Sequence, residues 1–273
     1  MKRKIIKQGD RCFTVTLPIK WVRENGLGAG KELEVAERGC KLMIQASQEY
    51  VEQEVEIKSD DFENLKSQVI SSYLSGVDKI TVYCNNYGDL KRMVAKSLYG
   101  MEIDERAGNK SVINSYSQAN PEALQKAIKN SFNLILESCQ SNDLDQITEI
   151  HDDVKKFCFF SLRLLHKGCY MQFNQALALS RIINALEEIS NLLRHMVKHY
   201  GMKITELNLF LEEMCNAYFN VSKVDEFFVR SEKLKDYLNN STLGKEIKEN
   251  AFMVRYLAIN LVRQTLIVSF KKN

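Results

Sequence analysis

A chain of 273 residues, 45% hydrophobic and 27% charged, has room for two or three domains and a sizeable core, which excludes a disordered or fibrous polymer. The net charge of +3 does not mark a nucleic-acid binder, but the charge is concentrated: Lys2, Arg3, Lys4, Lys7, Arg11, Lys20 and Arg23 stand against Asp10 alone, giving the first 23 residues +6 and leaving −3 for the rest. Seven scattered cysteines without a Cys-x-x-Cys pair exclude a disulfide framework or zinc knuckle and fit a reducing cytoplasm, and no apolar run of signal-peptide length follows the N-terminal methionine.

Residues 3–8 and 12–17 read as two short strands about Gln8-Gly9-Asp10-Arg11, a turn in which glycine supplies the positive φ. Phe13, Val15 and Leu17 alternate with Cys12, Thr14 and Thr16, so one face of the second strand can be buried. Pro18 opens a short helix with Trp21, Val22 and Leu27 on its apolar side, and Gly26 with Gly28-Ala-Gly30 ends it. Strands are expected at 32–37 and 41–45, joined by a turn at Arg38-Gly39. A unit of about 45 residues buries little surface alone, so dimerisation is the natural remedy.

Arg3-Lys-Ile-Ile-Lys-Gln-Gly-Asp, the strand ending Thr-Val-Thr-Leu-Pro, the helix Lys20-Trp-Val-Arg-Glu-Asn-Gly-Leu and then Gly30-Lys-Glu-Leu-Glu-Val follow one another in the order of the AbrB/MazE/SpoVT family, which this segment resembles. The resemblance covers residues 3 to about 46. It implies a swapped-hairpin domain over 1–47 that forms an intertwined homodimer and binds DNA through basic residues of the paired hairpins.

Residues 50–116 change character. A strand at 51–57 precedes a helix with Phe62, Leu65, Val69 and Tyr73 at spacings of three and four; 78–84 reads as a strand and 90–98 as a second helix. Strands at 102–104 and 111–114 flank Ala107-Gly108-Asn109. The segment forms a small α/β module without a phosphate loop, catalytic triad or ligand cluster.

From Asn120-Pro121 onward the periodicity is helical. Leu179, Ile182, Leu186, Ile189, Leu193, Met196 and Tyr200 alternate threes and fours as a packed seam requires, and Ala251, Val254, Ala258, Leu261, Thr265 and Val268 repeat the pattern. Breaks divide the region into helices at 122–140, 143–166 and 171–200, then 205–220, 223–238 and 245–270, two sets of three. Arg255, Asn260, Arg263 and Gln264 in the last of them speak against membrane insertion.

Two three-helix sets behind such an N-terminal segment resemble the archaeal branch of PhoU-like phosphate-uptake regulators, as do Ser71-Ser-Tyr-Leu-Ser-Gly-Val-Asp-Lys-Ile, Leu98-Tyr-Gly-Met-Glu-Ile and the helix holding Asp152-Asp-Val-Lys-Lys-Phe. The fold expected is therefore α+β: a swapped-hairpin domain over 1–47, an α/β module over 50–116 and a PhoU-like all-α bundle over 120–273.

The expected DNA-binding residues are Arg3, Lys4, Lys7, Arg11, Lys20 and Arg23. Each cation that pairs with a phosphate releases a condensed counterion, and Arg11 at the turn can also reach base edges. The PhoU-like resemblance implies metal clusters held by acids four apart, and Glu149/Asp153 and Glu232/Asp236 have that spacing. The positions aligned with the paired acids, however, hold His151 and Lys155, Glu187 and Asn191, and Tyr256 and Asn260. His195 and His199 share a helical face without a third ligand placed by sequence. No nucleophile–base arrangement is recognised, so neither catalysis, a cofactor nor a metal is expected.

The function expected is that of a cytoplasmic, dimeric DNA-binding regulator of phosphate homeostasis. The alternative is a PhoU-like interaction protein that docks on a phosphate transporter or its sensor kinase and uses the N-terminal domain only to dimerise. An antitoxin would carry a disordered tail where this chain has helical periodicity.

Overall fold

The alternation near the N-terminus closes into a hairpin. Strand β1 (Ile6–Gln8) pairs antiparallel with β2 (Cys12–Thr14), Lys7 stands opposite Phe13, and Gly9 makes the turn at φ 71°. The structure, a computed structural model, describes residues 3–38, 41–46, 53–117, 120–141, 143–168, 173–201 and 204–269. Both strands are shorter than the alternation suggests: the ladder ends at the Ile6–Thr14 pair, and residues 15–17 lead from it to Pro18.

Pro18 itself is the residue before the helix and not its first member. Helix α1 (Ile19–Glu24) follows, and Gly26 at φ 59° ends it. Strands β3 (Leu33–Arg38) and β4 (Lys41–Ala46) pair antiparallel as a second two-stranded sheet. Gly39 of the expected turn lies outside the described residues. These elements belong to one compact unit, Met1–Glu52, and Gln53–Asn273 forms another.

The second unit is mixed α and β with a C-terminal helical region. Strand β5 (Glu54–Lys58) leads into α2 (Phe62–Leu74), capped by Asp61, whose carboxylate accepts from the amides of Glu63 and Asn64. Val51 of the expected strand lies outside the described residues. Next come β6 (Lys79–Tyr83), α3 (Tyr87–Ser97), β7 (Met101–Ala107) and β8 (Lys110–Ser115). Helix α3 starts three residues before its expected position because the Asn86 side chain caps it at Asp89. The sheet runs in the order β5-β6-β8-β7, with β5 and β6 parallel and the other pairs antiparallel. Ile57, Ile80, Val82 and Ile113 of the sheet share one core with Leu65, Val69 and Tyr73 of α2 and Leu90, Met93 and Val94 of α3.

Among the described residues, six helices follow: α4 (Pro121–Ser138), α5 (Leu144–His166), α6 (Phe173–Tyr200), α7 (Thr205–Phe219), α8 (Val224–Asn240) and α9 (Lys245–Ser269), with a 3-10 turn at Val221–Lys223. Each consecutive trio packs on itself, and α6 lies along α9, so that one continuous core fills the region. The seam expected on α6 is there: Leu179, Ile182, Leu186, Ile189 and Met196 are buried, while Leu193 and Tyr200 are half-buried against the same core. Helix α9 is long and apolar enough to cross a membrane, yet Ala251, Val254, Ala258, Leu261 and Val262 stand in this core.

The α/β module is fastened to α5 by charge. Arg163, with no exposed surface, donates from Nη1 to the carbonyls of Tyr73 (2.8 Å) and Val77 (2.7 Å) and from Nη2 to Asp78 Oδ1 (3.1 Å). Its guanidinium lies 4.9 Å from the Tyr73 ring centroid, and the Tyr73 hydroxyl donates to the Tyr99 carbonyl. Lys167 also pairs with Asp78, and His166 Nδ1 donates to the Leu74 carbonyl at 2.6 Å. The Tyr73 and Leu74 acceptors are the last carbonyls of α2, and Val77 follows where Gly76 at φ 95° closes a Schellman turn: its amide reaches Tyr73 and that of Val77 reaches Ser72. A Cβ on Gly76 would stand 3.0 Å from Lys167 Cγ.

Loss of Arg163 would leave the buried Asp78 with Lys167 as its remaining cation and remove the side-chain donor shared by the Tyr73 and Val77 carbonyls. Arg163→Ala should destabilise the second unit by about 3–5 kcal/mol in urea denaturation. Arg163→Lys should recover only part of that, because an ammonium cannot reproduce the guanidinium fork.

Candidate nucleic-acid interface

The hairpin sets the geometry of the basic residues. Arg3 and Lys4 precede β1, Lys7 is its middle residue, and Arg11 stands in the turn beside Asp10. Directly opposed residues of an antiparallel pair share a face, so Lys7 lies on the Phe13 face and Ile6 on the Thr14 face. The structure thus mixes a cation into the apolar face, where its long stem can lie along Phe13 and its ammonium reach out. Lys20 and Arg23, three apart, neighbour each other on α1. The six residues therefore form two groups, four at the hairpin and two on the helix.

All six side chains are exposed. Lys20 lies 3.7 Å from Glu24 in an open i,i+4 pair, which contributes little and is easily exchanged for another anion. The side chains of Arg3, Lys4, Lys7, Arg11 and Arg23 make no ion pair among the described residues. Their charge is uncompensated locally, an arrangement suited to a polyanion.

The apolar side chains around them are also uncovered. Ile5, Ile6, Phe13, Val15, Ile19, Val35 and Leu42 are all exposed, Phe13 at 68%, and no side chain described between residues 3 and 46 is buried. Trp21, Val22 and Leu27 of the α1 segment are half-buried. The apolar face that the alternation predicts is present, and among the described side chains of the unit there is no core to receive it.

Among the described residues, no three side chains of His, Cys, Asp or Glu gather to hold a metal. Glu149 and Asp153 are both exposed on α5. Glu232 pairs with Arg255 at 2.6 Å and with Lys235 at 3.1 Å, and these cations, Lys235 foremost, hold its carboxyl below the usual range. His195 and His199 place their ring centroids 4.3 Å apart on the open side of α6, in a cleft shared with Tyr200, Glu246 and Glu249. The Tyr200 hydroxyl donates there to Glu246 at 2.9 Å.

Two residues at positions that the family resemblance aligns with paired acids make defined contacts. His151 is buried between α5 and α6, its Nδ1 3.2 Å from Ser190 Oγ, and Lys155 stands over the Phe159 ring at 5.4 Å. Burial pushes the Glu187 carboxyl up, against the pull of Lys155 and Arg194. The same burial holds the His151 imidazole down at about 4, helped by Arg194 and Lys155 and opposed by Asp152. This cluster is an internal polar contact of the helical region, and periodicity alone gives no sign of it.

Comparison with known protein families, with characterised proteins and with solved structures returned no match.

The His151 environment has a pH consequence. The folded chain takes up this proton only near pH 4 and the unfolded chain near 6.5, so between those values the unfolded state binds more protons. Stability should therefore fall as pH drops from 6.5 to 4, by on the order of 2 kcal/mol from this residue. His151→Gln, which keeps a partner for Ser190 but does not titrate, should show a correspondingly smaller loss when urea midpoints at about pH 7 and about pH 4.5 are compared.

Proposed function

We propose that the chain is a DNA-binding transcriptional regulator that acts as a homodimer, with residues 1–47 forming a swapped-hairpin domain of the AbrB/MazE/SpoVT type and the helical region forming a PhoU-like bundle of two three-helix repeats. One observation carries the reading: a basic unit whose cations are locally unpaired also exposes seven large apolar side chains and buries none of those described. Such a unit needs a cover, and a second copy supplies one that matches its apolar hairpin faces. Dimerisation doubles the cationic surface on one particle and so raises the number of phosphates that can be neutralised together. The signal belongs to phosphate homeostasis by resemblance of the helical region. No cofactor and no catalytic step is part of the proposal, and the protein works in the cytoplasm.

A second reading, docking on a phosphate transporter or sensor kinase, is favoured by the outer faces of α8 and α9, where Val229, Tyr237, Met253 and Tyr256 are exposed. Retention of a transporter subunit together with no DNA retardation at low salt would select it.

Replacing Lys7, Arg11 and Arg23 together with alanine should weaken duplex binding at least tenfold in gel retardation. The slope of log K against log salt should flatten by about 1 for each phosphate that is no longer neutralised. Unchanged affinity would remove the proposal. Phe13→Asp puts a charge on the apolar face, and sedimentation should find that variant monomeric where the parent chain is a dimer.

A further inference from the structure

At one end of the helical region the first trio meets the second around an open cavity of about 650 Å3, lined by α4, the start of α6 and the ends of α7 and α9. This is within the size range of sites for small organic ligands, about 300–1,000 Å3. Leu124, Ile128 and Leu179 reach it from the core. Tyr218 and Phe219 stand at right angles 5.0 Å apart on its wall, and both pack on Phe132, Tyr218 by stacking at 4.4 Å. Phe219 is nevertheless 53% exposed, an aromatic face held in place and left open.

The polar groups of the cavity divide sharply. Inside, the Thr265 and Ser269 hydroxyls are already donated to carbonyls of their own helix, so they do not call for a polar ligand body. At the mouth, Lys126 and Lys129 are neighbours on α4, both exposed, and neither makes an ion pair among the described residues. Among the described residues Glu122, one turn before Lys126, is the only acid of the lining, so the mouth keeps a net positive charge. Two amides, Gln175, whose Nε2 donates to the Val268 carbonyl at 3.4 Å, and the exposed Gln125, also line it, so a sugar or free phosphate would find few partners beside Leu124, Ile128 and Leu179, and a cationic ligand would meet two lysines.

We propose that this cavity binds a small amphipathic anion, an apolar chain or ring system that lies on Leu124, Leu179 and Phe219 and carries one carboxylate toward Lys126 and Lys129. A ligand seated there touches both trios at once and stabilises one packing of the first against the second, which makes the cavity an input site for the helical region. The site does not depend on DNA binding by the N-terminal unit, and its test does not involve DNA.

Dodecanoate, titrated calorimetrically into the full chain below its micellar concentration, is a suitable probe. The expected result is saturable binding at one site per chain, a melting temperature that rises with dodecanoate concentration, and at least tenfold weaker binding of dodecanol. Lys126→Ala/Lys129→Ala alters two exposed side chains and should weaken dodecanoate at least tenfold while leaving dodecanol unchanged. Val268→Trp, which fills the apolar end, should abolish binding of both. Absence of saturable dodecanoate binding, or equal affinity in the parent chain and both variants, would overturn the proposal.

Discussion

Everything in the second unit is arranged around a meeting of two helix ends of the same sign. Helices α2 and α5 approach with their C-terminal ends together, where each macrodipole is negative and each helix has carbonyls without intrahelical partners. Arg163, His166 and Lys167 bring positive charge to that place, and Asp78 fixes the arginine from the other side. The buried pair need not add net stability over an apolar joint. Its force lies in the cost of any other arrangement, since moving Arg163 would take from the buried Asp78 one of its two cations and from the Tyr73 and Val77 carbonyls their shared donor. The glycine at position 76 completes the joint by leaving room for the lysine stem.

Helix α5 therefore serves two cores. One side supplies Ile150, Val154, Cys158 and Leu164 to the helical region; another meets the module through Arg163, through Phe157 and Phe160 against Tyr99, and through Lys156, which caps α3 at the Ala95 carbonyl with a 2.6 Å bond. The ion pair of Lys96 with Asp152 lies on the same side. A helix of 23 residues held at so many points fixes the sheet of the module against the helical region. His151, near its start, ties the helix to α6 by the contact with Ser190.

The amino-acid pattern tells much about the helices and little about what joins them. Six C-terminal helices can be bounded to within two or three residues because their 3.6-residue repeat is long and their breaks fall at Gly168, Gly201 and Asn-rich points. Arg163 is illegible in the pattern, because a cation near a helix end ordinarily belongs to solvent, and the carbonyls that bury it come from 86 and 90 residues earlier. His151 misleads for the same reason: its partner is on another helix. At the candidate interface the basic residues themselves are readable, but not the register that sets Lys7 opposite Phe13, which depends on where the turn closes.

The contrast between the two units carries a consequence for how the protein is kept. The second unit has both of its described cores within one chain. The first has its described apolar side chains turned outward, and under the proposed cover by a second copy its order would become a matter of mass action. Trp21, the single tryptophan, sits in that unit and reports on it alone. A cell that makes few copies would then hold complete helical regions with incomplete N-terminal units, and the covered form of the N-terminal unit would come into being as a steep function of its own abundance.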